Sequence, residues 1–274
     1  MDTAYNERGF LRMKKFLALM LTLVVASAFI AGCGGEKAAP KKEAPKKIVV
    51  GLDDNFPPMG FKNEKNEIVG FDIDMAKEVA KRLNRPVEFK SIDWSSKEAE
   101  LKSGRIDVIW NGLNITDERK KNMAFSKPYM ECKQLIFVNV GSPIKGQADL
   151  AGKIVGMQSA STAEINLEND KAFAKTLKEV KKYPDCIVAL MDLEAGRVDA
   201  IITDEIVGRY YMGKKPGKFV ALEQPVGPIG DFGVGFRLDD KTLLNDIQKV
   251  LDEMKKDGTS AKISKQWFGA DILK

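Results

Sequence analysis

The 274-residue chain contains no histidine. That excludes Ser-His-Asp triads, Cys-His dyads and every imidazole metal ligand. Cysteine is scarce. Cys33, Cys132 and Cys186 are the three, and none belongs to a Cys-x-x-Cys pair, which removes zinc ribbons and thioredoxin-type redox motifs. Past residue 33 no apolar run reaches the ~18–20 residues of a membrane span. Excess charge is also missing from the bulk of the chain. The net charge is +5, but residues 1–33 carry +2 and residues 34–47 carry +3, so residues 48–274 are neutral. A neutral body has no basic footprint for phosphate backbones, and no nucleic-acid partner is expected. Apolar residues make up 44% and charged residues 30%, an ordinary globular balance over one or two domains. No metal-binding or cofactor motif stands out, so neither a metal nor a cofactor is expected.

What is present begins at the N-terminus. Arg12, Lys14 and Lys15 precede an apolar run from Phe16 to Gly32. A basic flank with a short apolar core is the form of a secretion signal. Met13-Lys14-Lys15 has the form of a leader start, so residues 1–12 are expected to precede the true one. The run closes in Ile30-Ala31-Gly32-Cys33. Small residues before a closing cysteine resemble the lipobox of bacterial lipoproteins, which implies lipidation of Cys33 and removal of residues 1–32. An uncleaved anchor is the other reading; both put the globular part outside the cytoplasm. Residues 33–47, rich in Gly, Pro, Ala and Lys, then form a solvated, lipid-anchored tether.

From residue 48 onward, short β-rich runs alternate with amphipathic helices. Ile48–Leu52, Val87–Phe89 and Ile106–Trp110 read as strands, with helices over Phe71–Leu83 and Ser96–Lys102 between them. That is βαβαβ, a parallel sheet covered by helices. Leu135–Val140, Ile154–Met157, Val180–Tyr183 and Ala200–Ile202 read as a second set of strands. Helices follow near Thr162–Glu168, Val188–Ala195 and Glu205–Met212. A tail helix carries Leu243, Ile247, Val250, Leu251 and Met254 on one face, and a shorter one carries Trp267 and Phe268. Two α/β units in tandem offer a cleft where strand ends and helix N-termini converge.

Three loop-to-helix junctions could face such a cleft. Thr116-Asp117-Glu118-Arg119 opens a helix with Thr116 as its cap. Arg119 is out of place there on dipole grounds. A bound carboxylate would explain it, although an ordinary surface arginine fits as well. Gly156-Met157-Gln158-Ser159-Ala160-Ser161-Thr162 exposes backbone N–H groups to an anion, or else is an N-cap by Ser161 or Thr162. Asp204, at the end of Ala200–Ile202, can accept an ammonium group or cap the next helix. Phe56 and Trp94 lie on loops leaving strands, where aromatics either wall a pocket or cap the core.

Taken in order, Asp53-Asp54-Asn55-Phe56-Pro57-Pro58, Ile68-Val69-Gly70-Phe71-Asp72-Ile73-Asp74, Gly104-Arg105-Ile106-Asp107, Thr116-Asp117-Glu118-Arg119-Lys120, Phe125-Ser126-Lys127-Pro128-Tyr129 and Trp267-Phe268-Gly269 resemble the polar amino-acid binding proteins of bacterial ABC importers. The resemblance runs from about Ile48 to Asp271. It implies an α/β, two-lobed, periplasmic-binding-protein-like fold of type II, each lobe a sheet flanked by helices. Residues 48–130 with 233–274 would form lobe 1, and residues 131–232 lobe 2. Hinge strands are implied near Tyr129–Lys133 and Asp231–Val234. The implied partners are a free polar L-amino acid and the permease subunits of an ABC transporter, with the protein itself a monomer.

The resemblance also implies roles. Arg119 grips the ligand α-carboxylate, helped by the backbone N–H of Thr162 from the other lobe. Asp204 accepts the ammonium group, and the Gly112 carbonyl and Asn114 complete these contacts. Phe56 and Trp94 sandwich the side chain, and Asp53, Asn111 and Gln158 reach its far end. Asn111 and Asn114 depart from the small or hydroxyl residues usual at these positions. Asp53, Asp54 and Asp93 give an acidic lean and no second arginine is evident. Cystine, glutamine or a basic amino acid is therefore expected ahead of aspartate or glutamate. Two rivals share the scaffold. A cyclohexadienyl-dehydratase-like enzyme would need a carboxylic acid in the cleft, for which Glu131 and Glu164 are available. A sensory binding protein would have the same pocket and a membrane receptor as partner. Cys132 and Cys186 are either buried free thiols or a disulfide permitted by an extracytoplasmic setting.

Overall fold

A computed structural model describes residues 46–274. The leader, Cys33 and all of the tether except Lys46 and Lys47 lie outside the described residues. No helix among those described is long and apolar enough to cross a membrane.

Two five-stranded sheets define two lobes. The first has the strand order Val87–Ser91, Ile48–Leu52, Val108–Ile109, Gly235–Phe236, Ala124–Phe125. Its first three strands are parallel, and Gly235–Phe236 runs antiparallel between the last two. The second has the order Glu179–Tyr183, Ile154–Gln158, Ala200–Asp204, Gln134–Asn139, Phe219–Leu222. Here again three parallel strands are extended by antiparallel ones. The expected βαβ units are therefore present, and each sheet also receives antiparallel strands that the alternation did not predict. Met130–Cys132 and Gly230–Phe232, paired antiparallel, link the lobes.

Local sequence explains the principal helices. Phe71–Arg82 starts after Gly70, which sits at φ 144°, carries Asp72 and Asp74 in its first turn and Lys81 and Arg82 in its last, and buries Phe71, Ile73, Met75, Ala76, Val79 and Ala80. The charges complement the helix dipole, and the 3/4 spacing supplies the apolar face. Lys241–Lys256 buries Leu243, Ile247, Val250, Leu251 and Met254 against the same core, which also holds Ile48, Val50, Phe71 and Val108. Thr259–Phe268 is fastened to the first helix by a 2.8 Å bond from Trp267 Nε1 to Asp74 Oδ2 and by the Phe268 and Phe71 rings, 5.2 Å apart. The C-terminal helices thus complete the N-terminal lobe.

Two expected boundaries shift. The strand read over Ile106–Trp110 is a ladder only at Val108–Ile109. Asp107 keeps its own N–H on the Val49 carbonyl, while its carboxylate accepts the Val49 N–H and pairs with Arg237. The 96–102 helix divides into a 3₁₀ turn, Trp94–Ser96, and an α-helix, Lys97–Lys102. Asp93 caps the turn by accepting the Ser95 N–H.

Candidate functional site

The site lies where loops of the first lobe meet the N-terminal helix ends of the second. Thr116 caps the short helix Asp117–Lys120, its hydroxyl accepting the Arg119 N–H. That turn points the Arg119 side chain inward, where the residue is 2% exposed. Arg119 is not a surface arginine. Its Nη1 donates to the Asn114 carbonyl (2.9 Å) and to Thr162 Oγ1 (3.3 Å), and its Nη2 to the Ala160 carbonyl (3.2 Å). All three acceptors are neutral, and among the described residues no carboxylate lies within ion-pair distance. Burial lowers its pKa to about 10.

The second lobe contributes Asp204, Thr162 and Gln158. Asp204 ends the strand Ala200–Asp204 and makes no side-chain cap to the helix Glu205–Lys214. The capping alternative is thereby excluded. Its Oδ1 accepts from Asn114 Nδ2 (3.0 Å), Gln134 Nε2 (2.7 Å) and Cys132 Sγ (2.8 Å). Burial raises its pKa, opposed by these three donors. Asn114 therefore lies between the two buried charges, its carbonyl on Arg119 and its amide on Asp204. Ser161 caps the helix Thr162–Asn169, which leaves the Thr162 hydroxyl to Arg119.

At the far end, Asp53 Oδ2 accepts from Gln158 Nε2 across the lobes at 2.7 Å, and Oδ1 accepts the Asn55 N–H. Burial lifts the Asp53 pKa to about 6. Asn111 is buried, donates to the Gly60 carbonyl at 3.4 Å, and leaves Oδ1 without a partner. Gly112 is at φ +55°, and a Cβ there would stand 2.7 Å from the Phe56 ring. Phe56 and Trp94 are 5% and 6% exposed, each packed in an apolar cluster. A groove of about 450 Å³ lined by Asn114, Thr116, Thr162, Asn166 and Gly230 opens beside the Arg119 turn.

Sequence reasoning missed several members. Asp72 is completely buried and accepts the Gly112 N–H (2.7 Å) and the Tyr129 hydroxyl (3.0 Å). Burial raises its pKa to about 7. Its place in a helical first turn disguised it as a dipole partner. Lys97 is 3% exposed and reaches the Ala160 carbonyl of the other lobe at 3.0 Å. No signal in its own stretch of sequence points to this.

Cys132 and Cys186 are free and buried. Cys186 Sγ donates to Gln158 Oε1 and accepts from Thr203. Neither carboxyl considered for catalysis stands in the cleft as a free acid. Glu131 is exposed on the linking strand. Glu164 receives the Ala160 N–H and pairs with Lys182. Among the described residues no group of three or more His, Cys, Asp or Glu side chains could hold a metal.

A buried guanidinium without a carboxylate in ion-pair distance and a buried carboxylate fed by neutral donors, one from each lobe, are the groups a small zwitterionic solute would require. This is the architecture of a two-lobed extracytoplasmic binding protein. Residues 48–270 match the bacterial extracellular solute-binding proteins, family 3, and the chain belongs to that family. It is 31% identical to the L-cystine-binding protein TcyJ of Escherichia coli (strain K12) over 260 residues, covering 94% of this chain and 96% of that one. The crystal structure of an ABC uptake transporter substrate-binding protein from Streptococcus pneumoniae with bound histidine superposes with a TM-score of 0.80 at 35% identity, over 83% of this chain and 94% of that one. An ancestral arginine-binding protein bound to glutamine does so with a TM-score of 0.75 at 43% identity, over 81% and 98%. The function of the cleft is binding, not catalysis.

Proposed function

We propose that the protein captures a free polar L-amino acid (cystine, glutamine or a basic amino acid) in the interlobe cleft and presents it to the permease of an ABC importer. The observation that carries this reading is the Arg119–Asn114–Asp204 arrangement. A zwitterion leaving water must have both charges met. Arg119 takes the α-carboxylate with the Thr162 N–H, and Asp204 takes the ammonium group with Asn114 and the Gly112 carbonyl. Phe56 and Trp94 enclose the side chain, and Asp53, Asn111 and Gln158 read its far end.

Arg119 and Asp204 belong to different lobes, so both ends of the ligand are satisfied only when the lobes close. The ligand thereby favours the closed state through contacts that the open state lacks. The lobe boundaries are residues 48–130 with 233–274, and 131–232. Lipidation of Cys33 after loss of residues 1–32, with residues 33–47 as a spacer, holds a monomer at the outer face of the membrane. Its closed form can then find the permease by lateral diffusion.

The test is thermal unfolding of the purified protein with each natural amino acid and cystine. A ligand at 100 times its Kd adds about 2.7 kcal/mol, a rise of very roughly 5–10 °C for a domain this size. One strong response names the substrate. No response to any of them refutes the reading.

A further inference from the structure

Lys97 is a buried residue at the cleft whose chemistry the amino-acid reading above does not use. The inference here rests on that reading. Lys97 opens the helix Lys97–Lys102 and is 3% exposed. Its ammonium donates to the Trp94 carbonyl (3.1 Å) and to the Ala160 carbonyl (3.0 Å), and it stands 5.0 Å from the centroid of the Trp94 ring. Among the described residues no carboxylate lies within ion-pair distance of it. Arg119 Nη2 shares the Ala160 carbonyl. That carbonyl belongs to a non-glycine residue held at φ +53°, whose N–H is fixed by Glu164. Two cations from one lobe thus converge on one backbone oxygen of the other.

A buried lysine with only neutral acceptors is costly, and an apolar side chain would pack there at lower cost. What the charge does for the cleft follows from a tally of its buried ionisable groups. Arg119 and Lys97 stand against Asp204 and Asp53, two of each sign, with Asp72 behind Gly112 raised by burial to a pKa of about 7 and so partly neutral. A ligand without net charge, such as glutamine or doubly zwitterionic cystine, leaves that balance intact. A cationic side chain adds a positive charge beside Trp94, where an ammonium already occupies the cation–π position.

We propose that Lys97 is a specificity-determining residue that turns the cleft toward amino acids of no net charge and away from arginine and lysine. Burial and the neighbouring Arg119 lower the Lys97 pKa to about 7; a carboxylate gripped by Arg119 would stand beside it and hold it protonated. At an effective dielectric of about 20, two cations within about 10 Å of each other are disfavoured by at least about ten-fold.

Calorimetric titration of the purified protein, Lys97→Met and Lys97→Arg with glutamine, cystine and arginine tests this. The parent is expected to bind glutamine or cystine more tightly than arginine. Lys97→Met is expected to improve arginine relative to that ligand at least ten-fold, and Lys97→Arg to keep the parental order. An unchanged ratio in Lys97→Met, a uniform weakening of every ligand, or a parent that prefers arginine overturns the proposal while leaving amino-acid binding intact. A parent that binds no natural amino acid and no cystine overturns both readings.

Discussion

Replacing Arg119 by methionine should separate binding from folding. The side chain is 2% exposed and holds three neutral oxygens. Burial brings its pKa from 12.5 to about 10, so keeping the charge there costs the fold about 3 kcal/mol at about 1.4 kcal/mol per unit. Its three hydrogen bonds return about 1 kcal/mol each. Methionine removes both contributions and nearly preserves the volume, so the unliganded variant should be within about 1–2 kcal/mol of the parent. That corresponds to a Tm change of roughly 2–8 °C at most. Binding should behave differently. A carboxylate deprived of its buried partner costs about 2–5 kcal/mol, a loss of affinity of roughly thirty- to several-thousand-fold. Urea unfolding gives the first quantity and calorimetric titration the second. Undiminished affinity in Arg119→Met would refute the carboxylate assignment. Collapse of the fold would refute the claim that this arginine is there for a ligand.

Four further outcomes are expected. The Asp72 pKa rises from 3.8 to about 7 in the fold, so the stability tied to its neutral form is complete below about pH 4 and is lost as pH climbs through 7, by up to about 4 kcal/mol. The stability difference between parent and Asp72→Asn should therefore fall over that window, as read from urea midpoints at pH 4.5, 6 and 7.5, and a flat difference would contradict it. Gly112→Ala should lose about 2 kcal/mol and weaken ligand binding at least ten-fold, because φ +55° and a Cβ 2.7 Å from Phe56 displace both the turn and the aromatic wall. Gly208→Ala should destabilise by about 1–3 kcal/mol in a thermal melt, although alanine ordinarily favours a helix; its Cβ would stand 2.0 Å from the Phe137 ring. Burial pushes the thiols of Cys132 and Cys186 well up, so mass spectrometry should find both alkylated only after denaturation.

Long periodic segments were legible in the sequence. Phe71–Arg82 and Lys241–Lys256 follow from apolar spacing alone, because each buries one stripe. The ladder Asn55–Phe56, Gly60–Lys62 and Ile68–Val69 was not legible, since two- and three-residue strands have no period to detect. At the site, the awkward position of Arg119 near a helix start goes with a buried side chain rather than a surface one. Asp204 was ambiguous because a carboxylate before a helix has two uses, and only the structure shows that it makes no cap and takes three side-chain donors instead. Lys97 could not be found from its neighbours. On a charged helix it reads as solvated, and what buries it is a carbonyl 63 residues away in the chain.

The order of strands in the first sheet bears on how the chain assembles. Gly235–Phe236 inserts between Val108–Ile109 and Ala124–Phe125, yet every strand of the second sheet is encoded between them. Closing a flexible loop on the order of one hundred residues costs about 4 kcal/mol in chain entropy. That cost falls if the intervening segment has already folded, because the paired strands Met130–Cys132 and Gly230–Phe232 then bring its two ends together. The second lobe is thus able to act as its own staple. The N-terminal lobe, although synthesised first, is the last to be finished, and it waits for the final forty or so residues to supply a strand and two helices.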